Sequence, residues 1–187
     1  MNWIEIVGFI TGLACVYLNT KENVWGWPIA MLSVVFYGIV FFNAKLYADA
    51  GLQAFFFVLC TYGLVQWLRK VDAHKALYIS ESNIFINVLG IVSTLLLTIV
   101  LYYLLTNYTD SDLPMLDAFT TAMSIVAQFL LARKKIENWI YWTIANCVYV
   151  GLYIYKGLFL TAVLYFIYIF LAVYGYYEWK RLMKTQS

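Results

Sequence analysis

A chain of 187 residues has room for one soluble domain, but 64% of these residues are hydrophobic and only 12% are charged. Soluble domains carry about 25% charged residues, so the composition excludes that class and indicates a membrane protein. The net charge of +2 is too small to indicate nucleic acid binding. The three cysteines, Cys15, Cys60 and Cys147, stand singly in apolar runs without metal-ligand spacing, which predicts small buried side chains.

Apolar runs of about 20 residues recur along the chain, and each is long enough to cross a bilayer as a helix. The first follows an acidic start instead of the basic start of a cleaved signal, so we expect it to be retained. The connections are short, so functional residues must lie among the helices. The predicted spans are 4–20, 26–43, 49–68, 84–106, 115–132, 138–155 and 159–179.

The distribution of Lys and Arg residues along the chain agrees with an odd number of spans. With the N-terminus outside, only Lys45 and Lys156 of the twelve Lys and Arg residues fall on the outer side. The positive-inside rule therefore predicts an outer N-terminus and a cytoplasmic C-terminus. The ten inner cations are Lys21, Arg69, Lys70, Lys75, Arg133, Lys134, Lys135, Lys180, Arg181 and Lys184.

An internal repeat appears when the chain is shifted by 112 residues. The shift pairs Trp27 with Trp139, as well as Gly63 with Gly175 and Trp67 with Trp179. It predicts an all-α integral membrane protein in which two parallel three-helix repeats are joined by a linker helix, because a second unit of the same orientation needs one return crossing. The predicted boundaries are 1–70 for the first repeat, 71–112 for the inner loop and linker helix, and 113–187 for the second repeat, within one transporter domain.

The sixth span holds the most informative pattern. On a helix, five of its side chains share an arc of about 80°: Trp139, Trp142, Asn146, Tyr149 and Tyr153. Trp139 alone is typical of an interface anchor, but Asn146 lies mid-span and must face protein, water or substrate. A bond to a neighbouring helix is the plain alternative. Together the stripe predicts a site for a planar, cationic heteroaromatic ligand.

Other candidate side chains for substrate binding lie on neighbouring spans. The fifth span carries a second polar stripe of Thr121, Ser124 and Gln128. The equivalent stripe of the first half is aromatic and contributes Tyr37, whereas Gln53 of the third span is a weaker candidate.

The spans lack the groups that several other mechanisms need. The only histidine, His74, lies in an inner loop, and no acidic residue stands mid-span, whereas a proton relay normally leaves such groups inside the bilayer. No reactive set predicts an enzyme, and no cofactor or metal is expected. Facilitated diffusion is therefore predicted; ion coupling through hydroxyl and backbone oxygens, a scaffold role and a sugar carrier stay open as alternatives.

The sequence resembles the Pnu-type bacterial vitamin transporters, the PnuC nicotinamide riboside transporter family. The likeness rests on "WPIAMLSVVFYGIVFFNAKLYADAGLQAFFFVLCTYGLVQWL" and on "DAFTTAMSIVAQFLLARKKIENWIYWTIANCVYVGLYIYKGLFLTAVLY", and most specifically on the family pattern W-x2-W-x3-N/D at Trp139, Trp142 and Asn146. The resemblance implies that these three residues stack on and recognise substrate. It also implies a SWEET-like 3+1+3 fold in the bacterial cytoplasmic membrane, a homotrimer, and facilitated diffusion of an unphosphorylated vitamin that a cytoplasmic kinase traps.

Branches of this family carry nicotinamide riboside, thiamine, riboflavin or deoxynucleosides, and the first two are aromatic cations. Two features favour the PnuT thiamine branch slightly: the chain begins directly on its first helix, and "ENVWGWP" precedes the second. The expected substrate is therefore thiamine, with nicotinamide riboside as the alternative.

Overall fold

The structure, a computed structural model, describes residues 3–43, 47–68, 77–157 and 159–186. Its helices confirm the predicted all-α class and, within these residues, the predicted number of seven. Most bounds agree with the predicted spans to within about two residues. The helices are Trp3–Thr20 (α1), Gly26–Asn43 (α2), Tyr47–Leu68 (α3), Ile84–Tyr108 (α4), Pro114–Ala132 (α5), Asn138–Tyr155 (α6) and Phe159–Gln186 (α7). The predicted inner cations Arg69, Lys70 and Lys75, His74, the outer Lys45 and the boundary at 70/71 lie outside the described residues.

Four helical stretches are long and apolar enough to cross a membrane: Gly51–Leu68, Ile84–Tyr108, Pro114–Ala132 and Thr161–Thr185. Shorter apolar helical stretches occupy Ile6–Thr20 and Gly26–Ile39. The α6 helix has sufficient length, but its two tryptophans, two asparagines and four tyrosines make it less apolar. Its polar and aromatic side chains therefore need partners other than lipid.

The helices pack in an order that joins the two ends of the chain. Within the first three helices, α2 lies between α1 and α3, and within the last three, α6 lies between α5 and α7. The α1–α7 and α3–α5 contacts hold these two groups together. The α4 helix packs along α5 through its small-residue face, Gly90, Thr94 and Thr98, and the hydroxyls of both threonines donate to carbonyls of α4 itself.

The segment 77–83, which leads into α4, is also attached to the last three helices. Ser80 N donates to Lys134 O, and Ile136 N donates to Ser80 O, and both N–O distances are 3.1 Å. The Glu137 carboxylate accepts from the backbone and the hydroxyl of Ser82. By contact, α4 therefore belongs with α5, α6 and α7.

Equivalent contacts recur 112 residues apart, as the sequence shift predicts. Both α2 and α6 have 18 residues and begin at equivalent positions. The Trp27 ring packs edge-on against Trp67 at 5.4 Å and 85°, and the Trp139 ring packs against Trp179 at 5.4 Å and 88°. All four rings are buried at one end of the bundle, which we call the tryptophan end.

The tryptophan end is closed by hydrogen bonds between the two helix groups. Trp179 Nε1 donates to Asn19 O at 3.0 Å, and Trp67 Nε1 donates to Leu131 O at 3.3 Å, so the two bonds occupy equivalent positions. The Trp67 and Trp179 rings also touch, with centroids 6.2 Å apart. Separating the two groups at this end would break all three contacts.

The turns after α1 and α5 have the same backbone. In each, the residue in the left-handed region is charged, Glu22 at φ 54° and Lys134 at φ 50°, and the flanking amides make the paired hydrogen bonds of a Schellman motif. Glu22 and Lys134 form an ion pair with each other. The pKa of the Lys21 ammonium is raised, chiefly by its hydrogen bond to Tyr174 and secondly by its hydrogen bond to Glu178.

Candidate functional site in the helix bundle

The predicted stripe of α6 is present, but its members lie at different depths along the helix. Trp139 is only 1% exposed and packs between Trp179 and Gly175, so it belongs to the core of the tryptophan end. Trp142 is half-buried beside that core. Stacking of substrate on Trp139 stays a prediction, and in this conformation the Trp139 ring has a packing role.

Asn146 lies midway along α6 and is 3% exposed. Its Oδ1 atom has no hydrogen-bond partner among the described residues. A buried acceptor without a donor costs about 1 to 3 kcal/mol, a cost that a ligand N–H or a water molecule removes. Trp139 Nε1 on the same stripe is also buried without a partner among the described residues, but it lies in the core of the tryptophan end. Asn146 is therefore the mid-helix side chain of the stripe that is prepared to receive a polar ligand.

A cluster of tyrosines occupies the part of the bundle beyond Asn146. The Tyr149 and Tyr153 rings are nearly parallel at 5.7 Å, and Tyr165 of α7 contacts both, at 4.7 and 5.0 Å. Tyr168 continues the series at 5.4 Å from Tyr165. Tyr165 and Tyr168 were not predicted from the sequence, although their spacing of three residues on one helix was a usable signal.

The first helix group borders this cluster through small residues of α1. A Cβ atom built on Gly8 would lie 3.0 Å from the Tyr37 ring, and one built on Gly12 would lie 2.3 Å from Tyr168 Oη. The two glycines are one helical turn apart, so they bring Tyr37 and Tyr168 against the same face of α1. We define the tyrosine cluster as these five residues: Tyr37, Tyr149, Tyr153, Tyr165 and Tyr168.

The predicted polar stripe of α5 is divided between two neighbours. Ser124 Oγ donates to Thr120 O and lies 3.5 Å from Tyr149 Oη, so it borders the tyrosine cluster. Thr121 is half-buried nearby on α5. Gln128 is 8% exposed and points toward α3, where its Nε2 atom lies 3.5 Å from Cys60 Sγ.

Gln53 has a different neighbour from the other predicted site residues. Its Cβ lies 3.5 Å from the position of a Cβ built on Gly38, which places Gln53 at the α2–α3 contact. The residues that the structure brings together are thus Asn146, Tyr149, Ser124 and, across α1, Tyr37. They combine an unpaired amide with aromatic faces and hydroxyls, a set that suits a flat ligand with a polar substituent.

Comparison with known proteins shows that this chain is similar to transporters of small molecules that contain flat aromatic rings. A family model described as "Nicotinamide mononucleotide transporter" matches residues 2–181. The nicotinamide riboside transporter PnuC of Escherichia coli K12 is 29% identical over 96% of this chain and 85% of its own length. The riboflavin/roseoflavin transporter RibM of Streptomyces davaonensis is 29% identical over 95% of this chain and 84% of its own.

A solved structure is also similar over nearly the whole chain. The crystal structure of the vitamin B3 transporter PnuC superposes with a TM-score of 0.80 at 26% identity and covers 99% of this chain and 83% of that one. These relatives are named as transporters, in agreement with the prediction of a transporter over an enzyme. With its several apolar helices, the protein is a multi-pass membrane protein, and it belongs to the nicotinamide mononucleotide transporter family, that of PnuC.

Proposed function

We propose that this protein carries nicotinamide riboside, an unphosphorylated form of vitamin B3, across the bacterial cytoplasmic membrane. Relatives named for this substrate match at 20 to 29% identity along 96 to 100% of the chain, and they support it over thiamine, which the sequence alone favoured slightly. The observation that carries the proposal is the buried, unpartnered Oδ1 atom of Asn146. The carboxamide of nicotinamide supplies an N–H donor that fits this acceptor.

The surroundings of Asn146 suit the rest of that ligand. The pyridinium ring is flat and cationic, and Trp142 and Tyr149 flank Asn146 on the same face of α6 with aromatic surfaces that attract such rings. The hydroxyls of Ser124 and the tyrosine cluster suit the hydroxyls of a ribose. Gln128 is assigned a weaker part because its amide points toward Cys60.

The architecture proposed for this activity is the SWEET-like 3+1+3 arrangement of two parallel repeats with the site between them. The equivalent contacts of Trp27 with Trp67 and of Trp139 with Trp179 support it. We place the tryptophan end inside the cell, because the cations of the described turns and of the end of α7 gather there. The N-terminus is then outside and the C-terminus cytoplasmic, and the transporter works as a homotrimer.

Facilitated diffusion is the mechanism that we propose, with a cytoplasmic kinase trapping the vitamin as its phosphate. The buried acidic side chain of the described residues, Glu178, is paired with Lys21 at 3.0 Å and lies at the tryptophan end instead of mid-span. Coupling to protons would instead need titratable groups along the path. Counterflow of labelled substrate in vesicles without any ion gradient would support this mechanism, and a strict need for a gradient would refute it.

Riboflavin is the second candidate, because RibM has the same percentage of identical residues, 29%, as the PnuC of Escherichia coli. Its three-ring system is larger and uncharged, so it would gain less from the cation-attracting faces of Trp142 and Tyr149. Titration calorimetry of the purified protein with nicotinamide riboside, riboflavin and thiamine separates the three. Saturable binding of riboflavin alone would replace the substrate while keeping the site.

Variants of α6 test the site itself. Asn146→Ala and Trp142→Ala should abolish uptake and leave a folded, membrane-inserted protein, whereas Trp142→Phe should keep part of the activity because an aromatic face remains. Asn107→Ala is the matched control, since Asn107 is exposed at the end of α4 and bonds only to Tyr103 O in its own helix. Normal transport by both alanine variants of α6 would place the site elsewhere.

A further inference from the structure

An apolar groove runs along the outside of the bundle between α6 and α7. Its volume is about 230 Å³, and three of its lining side chains, Ile140, Ile144 and Val173, are 42 to 47% exposed on the surface. The hydroxyl of Thr143 donates to Trp139 O at 2.7 Å, so it presents little polarity to the groove. The remaining lining residues are Trp139, Tyr176 and Tyr177.

A second, basic cavity of about 250 Å³ adjoins this groove and shares Tyr177 with it. Its other lining residues are Lys180, Arg181 and Lys184, which share one face of α7 with Tyr177 because the four positions follow the helical spacing i, i+3, i+4, i+7. Arg181 bonds to Glu178 at 2.8 Å, yet its side chain is 70% exposed. Lys180 lies over the Tyr176 ring at 5.9 Å, which directs its ammonium toward the groove.

The length of α7 places the two cavities at different levels of a bilayer. At 1.5 Å per residue the stretch from Phe159 to Lys180 is about 32 Å long, close to the roughly 30 Å of a hydrocarbon core. The groove then faces acyl chains, and the three cations reach the level of the headgroups. An amphiphile with an apolar chain and an anionic head would contact both cavities at once.

We propose that the groove and the basic cavity together bind one anionic phospholipid. An acyl chain lies between α6 and α7, and Lys180, Arg181 and Lys184 hold the phosphate. A zwitterionic lipid gains less, because its own cation cancels part of the attraction. Each Lys or Arg near the membrane surface contributes roughly a fivefold gain in affinity for anionic lipid. This site lies outside the bundle and does not depend on which vitamin the protein carries.

The test is native mass spectrometry of the full chain in detergent, titrated with phosphatidylglycerol or phosphatidylcholine of identical chains. We expect one tightly bound phosphatidylglycerol and a clear preference over phosphatidylcholine. The double variant K180Q/K184Q should lose roughly 25-fold in affinity for phosphatidylglycerol, because two charges are removed. The matched double variant K180R/K184R keeps both charges and should bind as the unmodified protein does.

A variant of the groove tests the apolar half of the site. Ile144→Trp fills the groove without changing any charge. It should weaken the binding of phosphatidylglycerol and leave the thermal stability of the delipidated protein unchanged. Equal binding of both lipids by the unmodified protein would overturn the proposal, as would full binding by K180Q/K184Q. If no lipid binds to any of the proteins and Ile144→Trp abolishes an oligomer that the unmodified protein forms, the groove is a contact with a second copy of the chain. That result would also overturn the proposal.

Discussion

Gly63 of α3 and Gly175 of α7 each lie directly against a buried indole ring. A Cβ atom on Gly175 would come within 2.7 to 2.8 Å of three ring atoms of Trp139, and one on Gly63 within 2.2 to 2.5 Å of Trp27. Alanine gains about 1 kcal/mol over glycine inside a helix, but overpacking a core costs about 1 to 3 kcal/mol. Because neither ring has solvent to move into, we expect Gly175→Ala to destabilise the protein by about 1 kcal/mol and Gly63→Ala by about 2 kcal/mol.

The assay is thermal unfolding of the purified protein in detergent, followed by tryptophan fluorescence. The expected losses lower the midpoint by about 2 to 4 °C for each kcal/mol in a chain of this size. Gly151→Ala in α6 is the control, since a Cβ there meets no atom within 4 Å, and it should leave the midpoint equal or higher. If the two core variants matched this control, the close packing of the tryptophan end would be refuted.

Three further predictions concern side chains that join or line the helix groups. Glu22→Lys should lower the unfolding midpoint, and adding Lys134→Glu should recover most of the loss, with a coupling of about 1 kcal/mol because both side chains are largely buried; a double variant no better than the single one would show that the pair is not coupled. Trp179→Phe removes the donor to Asn19 O but keeps an aromatic ring, and because that carbonyl also accepts from Glu22 N, the cost should stay near 1 kcal/mol in the same assay. Thr94→Val should change the midpoint by less than about 0.5 kcal/mol in free energy, since the Thr94 hydroxyl bonds only within its own helix; a larger loss would reveal a partner on α5.

The helices could be predicted closely from the sequence because their apolar runs are long and bounded by polar residues. The last helix is the exception, since α7 extends to Gln186, beyond the predicted end near 179. Apolar character ends where the hydrocarbon ends, but backbone hydrogen bonds continue through Lys180 and Lys184 into the polar region. A hydropathy pattern therefore locates the span and misses the helical extension.

For the candidate site, the sequence predicts the helix face and leaves the depth along the helix open. Helical periodicity correctly puts Trp139, Asn146 and Tyr149 on one face of α6, but periodicity contains no information on depth. Seven residues separate Trp139 from Asn146, about 10 Å along the axis, which is enough to put one in the core of the tryptophan end and the other beside the tyrosine cluster. The partners that decide this, Gly175 and Trp179, are on another helix and could be assigned only from the fold.

The repeat was the most productive sequence signal. The shift of 112 residues matched Trp27 to Trp139 and Gly63 to Gly175. In the structure, Trp27 contacts Gly63 and Trp139 contacts Gly175, so the matched residues form equivalent contacts. Sequence comparison detects such pairs because a glycine and the ring lying on it are constrained together. The ion pair between the two equivalent turns was not foreseeable, since Glu22 and Lys134 carry opposite charges and do not match in the alignment.

The attachment of α4 has a practical consequence. Segment 77–83 is bonded to the turn between α5 and α6, and α4 packs along α5, so the first three helices and the remaining four are each packed internally. The α1–α7 and α3–α5 contacts then join two preformed pieces. A chain divided between Leu68 and Leu77 should therefore work by fragment complementation, with residues 1–68 and 77–187 assembling in one membrane without a peptide bond between them.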